Sequence, residues 1–272
     1  MSDTANEAQR RQWNDGARLS AWRHREPLTA AVTAMLLRHT ALKSGEKVLD
    51  IGTGGGRSAI AAARQVGPDG EAIGADISEP LVALARQRAA DAAVANARFV
   101  VADVQTAALD GRPFDAAMSQ FGVMFFDKSV AAFANVRAQM RSGGRLGFVC
   151  WQSLADNPWF TGVSLQPFFP PVPPPGPGKN ATGPFTLADP ERTAGILAAA
   201  GWSDVDRTPY RQTVTLEPEV LLDSDEYLSY LGVADDRLAE ARAVSEEHLA
   251  PLRRNDGRFD APLAFQVFTA RN

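Results

Sequence analysis

Residues 47–63, KVLDIGTGGGRSAIAAA, decide how this chain folds. Val48, Leu49 and Ile51 form a short apolar run that ends in glycines. From Gly56 a helical spacing begins, with Ala59, Ile60 and Ala63 on one face. The pattern predicts a strand, a tight turn and a helix N-terminus. Such a turn needs glycine, because a side chain would oppose positive φ or hold a ligand away from the backbone. The helix that follows aims free N–H groups and a partial positive charge at whatever lies over the turn. A dinucleotide fingerprint, G-x-G-x-x-G, is matched by Gly52 and Gly54 but broken by Arg57 in the third position. What stands instead is D-x-G-x-G-x-G, from Asp50 through Gly52 and Gly54 to Gly56.

Outward from this unit, strand and helix signals alternate. Gly67-Pro68-Asp69-Gly70 is a turn, and residues 71–76 read as a second strand. Ser78 or Glu79 opens a helix, running to about residue 95, with Pro80 in its first turn. Residues 98–102 and 113–119 are predicted as strands three and four. A helix over 129–140, a turn at 141–144 and a fifth strand over 145–151 follow. This alternation implies parallel crossovers and a doubly wound α/β sheet. Ligands of such sheets sit beyond the carboxyl ends of the strands, where strand order reverses. Those ends carry Asp50, Asp76, Asp103 and Ser119. A carboxylate at Asp76 is placed to accept both hydroxyls of a ribose, whichever nucleoside carries it. Asp103 serves equally as a helix cap.

The glycine turn resembles motif I of the class I S-adenosylmethionine (SAM)-dependent methyltransferases. Residues 114–151, FDAAMSQFGVMFFDKSVAAFANVRAQMRSGGRLGFVCW, resemble the UbiE-like (methyltransferase type 11/25) branch of that family. There an F-D-x-x-x-S strand precedes an aromatic loop, a helix, an (R/K)-P-G-G turn and a fifth strand. Ser142 replaces the usual proline here. The resemblance covers residues 44–151 and, more weakly, the final strand. It implies a Rossmann-like seven-stranded sheet, six strands parallel and the seventh antiparallel between five and six. Helices lie on both faces under a lid.

The same resemblance implies SAM as cofactor and S-adenosylhomocysteine as product. Asp50, Gly52, Thr53 and Gly54 would hold the methionine part. Asp76 would hold the ribose and Asp103 the adenine amino group, with Ile77 and Val104 against the ring. Ser119 ends the fourth strand beside the cofactor, and Trp22 covers it. Phe121 and Gly122 adjoin the sulfonium position, and Trp151 and Trp159 line the acceptor pocket. The aromatic run through Met124, Phe125 and Phe126 also suits core packing. No residue is assigned as catalytic base. His24 is the candidate, since the N-terminal segment often closes over SAM in this family. No metal is implied.

Beyond Trp151 the composition changes. Residues 167–184, PFFPPVPPPGPGKNATGP, are unfit for a helix or an inner strand and read as a loop or lid. A helix over 187–202, a strand over 203–216, a long helical stretch over 219–252 and a last strand over 262–270 follow. An amphipathic helix is predicted over 27–42, with Pro27 in its first turn. The organisation is thus a helical cap (1–43) and a methyltransferase domain (44–272). That domain carries a proline-rich lid insert (155–190) and a helical insert (218–256).

Composition narrows the functions. The chain has 272 residues, 45% hydrophobic and 22% charged, with a net charge of −4 and no long basic run. Nucleic acid and anionic membranes are therefore poor partners. The single cysteine, Cys150, excludes an intrachain disulfide and suits a cytoplasmic protein. No stretch reaches the ~20 apolar residues of a membrane span. Ser119-Gln120-Phe121-Gly122 is not the Asn/Asp-Pro-Pro-Tyr/Phe pattern of amino-methylating DNA and protein enzymes. The expected partner is a small, partly apolar or aromatic acceptor, methylated on oxygen, nitrogen or carbon, and homodimerisation is open. Two rivals stand beside this reading: a non-catalytic SAM-binding protein and an NAD(P)-dependent dehydrogenase.

Overall fold

Residues 6–170 and 182–272 are described in the computed structural model of the chain. In chain order the strands are β1 (Lys47–Ile51), β2 (Glu71–Asp76), β3 (Ala97–Val101), β4 (Phe114–Gln120), β5 (Met140–Trp151), β6 (Ser203–Leu216) and β7 (Phe259–Arg271). The helices are α1 (Glu7–Asn14), α2 (Gly16–Thr29), α3 (Val32–Thr40), α4 (Arg57–Val66), α5 (Glu79–Asp91), α6 (Ser129–Ala138) and α7 (Pro190–Ala199). The short α8 (Pro218–Leu221) and α9 (Asp225–Tyr230) precede α10 (Leu238–Leu249).

All seven strands form one sheet in the order β3-β2-β1-β4-β5-β7-β6. β7 runs antiparallel to both neighbours, and the remaining adjacent pairs are parallel. The expected Rossmann-like sheet, with its reversed strand between β5 and β6, is therefore present. β1 is buried from Val48 to Ile51, as an inner parallel strand covered on both faces must be. It lies between β2 and β4, where strand order reverses, so the glycine turn opens onto the crevice that such sheets offer ligands. Phe133 of α6 packs on Phe148 of β5, and Phe148 stacks on Phe268 of β7, with ring centres 5.4 and 5.3 Å apart.

Several local expectations are corrected. No helix spans 27–42. α2 begins at Gly16, capped by Asp15, which accepts the Ala17 and Arg18 amides, and Pro27 falls in its last turn. The missing amide of Pro27 weakens the helix there, and the chain turns at Ala30 and Ala31 before α3. The helices over residues 7–29 carry little apolar signal in the sequence, because their faces are polar: only Leu28 is buried.

Residues 141–144 are a register shift within β5, not a free turn. Met140 pairs with Phe114 and Arg145 with Ala116. The backbone between them is held by the C-terminus, Gly143 donating to the Asn272 carbonyl and Asn272 to that of Gly144. The long helix over 219–252 breaks into three, because Ser224 starts a new helix by accepting the Tyr227 amide and Gly232 adopts φ +94°. Much of the proline-rich segment, residues 171–181, lies outside the described residues. No helix among the described residues is long and apolar enough to cross a membrane.

Candidate functional site

The β1–α4 turn is built from backbone. Gly52, Gly54 and Gly56 have φ of +65°, +53° and +82°, values that a side chain resists. Asp50 pins the turn from behind: Oδ2 accepts the Thr53 hydroxyl at 2.7 Å and the Ser58 hydroxyl at 2.6 Å. From the next strand, the Ala75 carbonyl accepts the Gly52 and Thr53 amides. Asp76 holds the turn from the side, accepting the Gly54 amide at 2.8 Å and the Ser78 amide at 2.9 Å. From β4, Ser119 donates to the Ile51 carbonyl and accepts the Gly122 and Val123 amides. The strand-end polar side chains thus shape one another's loops.

Over this turn lies a cavity of about 460 Å³. Of the residues expected to bind a cofactor, Gly52, Thr53, Gly54, Asp76, Ile77, Asp103, Val104 and Trp22 line it. So do all four expected at the acceptor: Phe121, Gly122, Trp151 and Trp159. Met124 and Phe126 are buried core residues that also touch the cavity, whereas Phe121 and Phe125 are only half-buried. Trp22 roofs the turn so closely that a β-carbon on Gly54 would stand 2.9 Å from its ring. Asp103 accepts the Gln105 amide at 3.0 Å, a local cap, yet still lines the cavity.

Three expected residues are not in the wall. Asp50 and Ser119 are fully buried and organise the turn from within, so neither is placed to touch a ligand directly. His24 is exposed on α2, with Nδ1 beside the Ser20 carbonyl at 2.9 Å, and offers no base to the cavity.

Burial governs the electrostatics. It raises the Asp50 carboxyl to about 6, against the Ser58 and Thr53 hydroxyls, which lower it, and with the nearby Asp76 charge adding to the rise. Burial also raises Asp76, opposed by the amides of Ser78, Gly54 and Ile77. Asp103 moves the same way from burial, opposed by Gln105. Asp50 Oδ1 is buried with no hydrogen-bond partner among the described residues.

The far half of the cavity is aromatic. Phe121 stacks on Trp151 with ring centres 4.2 Å apart, and Trp159 meets Trp151 edge-on at 5.0 Å. Phe160, Leu165, Phe169 and Leu221 extend this wall. A polar band crosses it that the sequence did not reveal. Arg25 of α2 pairs with Asp223, which also accepts the Thr161 and Ser245 hydroxyls. Arg18 donates to the Tyr227 hydroxyl at 3.0 Å. Arg25 and Asp223 lie 198 residues apart in sequence and Arg18 and Tyr227 lie 209 apart, so only the folded chain brings them together.

Residues 48–144 match the family model described as a methyltransferase domain. The chain is 34% identical over 128 residues to the aklanonic acid methyltransferase DauC of Streptomyces sp. strain C5, covering 47% of this chain and 54% of that one. It is 35% identical over 106 residues to the ubiquinone/menaquinone biosynthesis C-methyltransferase UbiE of Pseudomonas putida, covering 39% and 41%. The chain thus matches about half or less of each relative's length. Among solved structures, the YcgJ protein of Bacillus subtilis superposes with a TM-score of 0.59 at 16% identity, covering 89% of this chain and 98% of that one.

Proposed function

We propose that this chain, whose residues 48–144 match a methyltransferase-domain model, is a class I SAM-dependent methyltransferase of UbiE-like type that transfers the methyl group of SAM to a small planar aromatic acceptor. One observation carries the reading: a single cavity is lined at one end by the glycine turn with Asp76 and Asp103, and at the other by Trp151, Trp159 and Phe160. Phe121 and Gly122 stand at the junction.

The residues present fit the cofactor. Gly52, Gly54 and Gly55 line the cavity without side chains of their own, with Trp22 packed against Gly54 and Gly55. Asp76 Oδ2 accepts the Gly54 amide and Oδ1 the Ser78 amide, with the Ile77 amide also facing it; two carboxylate oxygens offer about four lone pairs, which leaves acceptor capacity for a ribose hydroxyl. The unpartnered Asp50 Oδ1 puts negative charge behind the turn, on the side where an ammonium group would gain. Asp103 and Val104 offer an acceptor and an apolar face to an adenine.

SAM supplies an electrophilic methyl on a sulfonium, which moves to the acceptor by in-line displacement. The chain's own part is orientation and exclusion of water. The glycine turn and strand-end acids fix one reactant, and the aromatic wall fixes the other edge-on or by stacking. Trp22 closes the roof. His24 lies outside the cavity, and no side chain is assigned to take a proton.

The names of the relatives, an aklanonic acid methyltransferase and a C-methyltransferase of quinone biosynthesis, favour a polycyclic or quinone-like acceptor methylated on oxygen or carbon. A lone buried thiol fits a cytoplasmic setting. Calorimetry with SAM, S-adenosylhomocysteine and NAD tests the reading. Micromolar binding of the two sulfur nucleosides is expected. Binding of NAD alone would sink it, and SAM binding with no methyl transfer to any quinone or aromatic acid would favour a non-catalytic role.

A further inference from the structure

The charges of the cavity wall do not balance evenly along its length. Its charged residues are Arg18, Arg25, Glu26, Arg57, Asp76, Asp103 and Asp223. Glu26 is paired with Arg57 and Arg88, and Arg25 with Asp223. Asp76 and Asp103 stand at the nucleoside end. Arg18 alone among the wall's cations has no carboxylate partner among the described residues. Its guanidinium lies over the Trp13 ring at 4.5 Å, which fixes its plane, and a single N–H reaches the Tyr227 hydroxyl at 3.0 Å. A guanidinium has five N–H donors in a planar fork that matches a carboxylate. The remaining donors of Arg18 make no hydrogen bond among the described residues. Tyr227, accepting from Arg18, keeps its own O–H free to donate.

We propose that Arg18 and the Tyr227 hydroxyl bind a carboxylate of the acceptor, so that the acceptor is a planar aromatic acid. The inference rests on the methyltransferase reading and narrows its substrate class. The acid group lies between α2 of the cap and α9 of the helical insert, and the ring system runs from there along Phe125 and Phe121 toward Trp151. The aromatic wall supplies affinity for any flat molecule, whereas Arg18 supplies the preference for a charged one. An acid that docks here also bridges cap and insert.

The test uses the full chain loaded with S-adenosylhomocysteine. Anthraquinone-2-carboxylate and its carboxamide, with the 2-naphthoate pair, are titrated by calorimetry. A charge-assisted, two-pronged contact is expected to favour each carboxylate over its amide by about tenfold or more. In Arg18→Gln the preference disappears while affinity for the carboxamides and for S-adenosylhomocysteine is kept. Tyr227→Phe reduces the preference a few-fold. Equal affinity for acids and amides in the unaltered protein overturns the proposal, as does an unchanged preference in Arg18→Gln. Should Arg18→Gln no longer bind S-adenosylhomocysteine, an undiminished preference in Tyr227→Phe overturns it instead. Failure of the unaltered protein to bind S-adenosylhomocysteine removes the methyltransferase reading itself, an outcome distinct from nucleoside binding without acid preference.

Discussion

Gly52 and Gly122 touch backbone to backbone: a β-carbon on Gly52 would lie 2.8 Å from the Gly122 Cα, and one on Gly122 would lie 2.7 Å from the Ile51 carbonyl oxygen. The turn after β1 and the loop after β4 are therefore locked together by the absence of two side chains. Gly52→Ala is expected to lose about 1–3 kcal/mol of stability by overpacking, with roughly 1 kcal/mol more from its positive φ. Gly122→Ala has no φ penalty and should lose only the first part. Urea unfolding measures both, and equal losses would contradict the assigned causes.

Asp76→Ala is expected to weaken S-adenosylhomocysteine binding by about 1–3 kcal/mol, since it strips the acceptor from buried ribose hydroxyls. The Gly54 amide also loses its partner. Calorimetry reads the change, and unaltered affinity would place the ribose elsewhere.

The Arg25–Asp223 pair is lopsided, with the arginine side chain 28% exposed and the aspartate 2%. Removing Arg25 strands a buried carboxylate, whereas removing Asp223 leaves a cation that water already reaches. Arg25→Ala should therefore cost about 3–5 kcal/mol and Asp223→Ala clearly less. Thermal or urea unfolding of the two variants gives the order, and the reverse order would show that the hydroxyls of Thr161 and Ser245 matter more than the charge.

Asp50 sets a pH dependence. The folded chain holds a proton there up to about 6, whereas the unfolded chain releases it near its ordinary value of 3.8. Between those values the folded state binds the extra proton, so stability falls as pH rises through the window and then levels off. The loss is at most about 3 kcal/mol. Asp76 and Asp103 are shifted in the same direction and add to the slope. Asp50→Asn should flatten the profile between pH 4 and 6, as measured by urea unfolding at several pH values; an unchanged slope would assign it to the other acids.

The sheet and its crevice were legible in the sequence, because each depends on local chemistry. Apolar runs closed by glycine or aspartate mark inner strands, and Asp50, Asp76 and Asp103 recur at the strand ends at βαβ spacing. Gln120 and Trp151 bounded their strands within a residue of the expectation. Within the cap the boundaries of the first two helices were not legible. α1 and α2 bury one leucine between them and show little apolar stripe, so the pattern points to Pro27 rather than Asp15 as a helix start. Nor could the sequence separate the roles of the strand-end residues. Asp50 and Ser119 look like ligands by position, yet both turn inward to hold loops. Arg18, Arg25, Asp223 and Tyr227 carry no local signal, because their meaning arises only when α2 meets the helical insert.

α3 of the cap is anchored by buried Val32 and Leu36, whereas α1 and α2 adhere largely through polar links. Glu26 reaches Arg88 and Arg57, Arg25 reaches Asp223, and the Trp13 carbonyl accepts the Ser78 hydroxyl, while only Leu28 of α1 and α2 is buried. Mobile counterions screen the charged part of such links, with a Debye length of about 8 Å at physiological ionic strength and about 3 Å at 1 M. Concentrated electrolyte would thus loosen the roof and leave the sheet beneath it intact. Even an uncharged guest would then escape faster in brine than in dilute buffer.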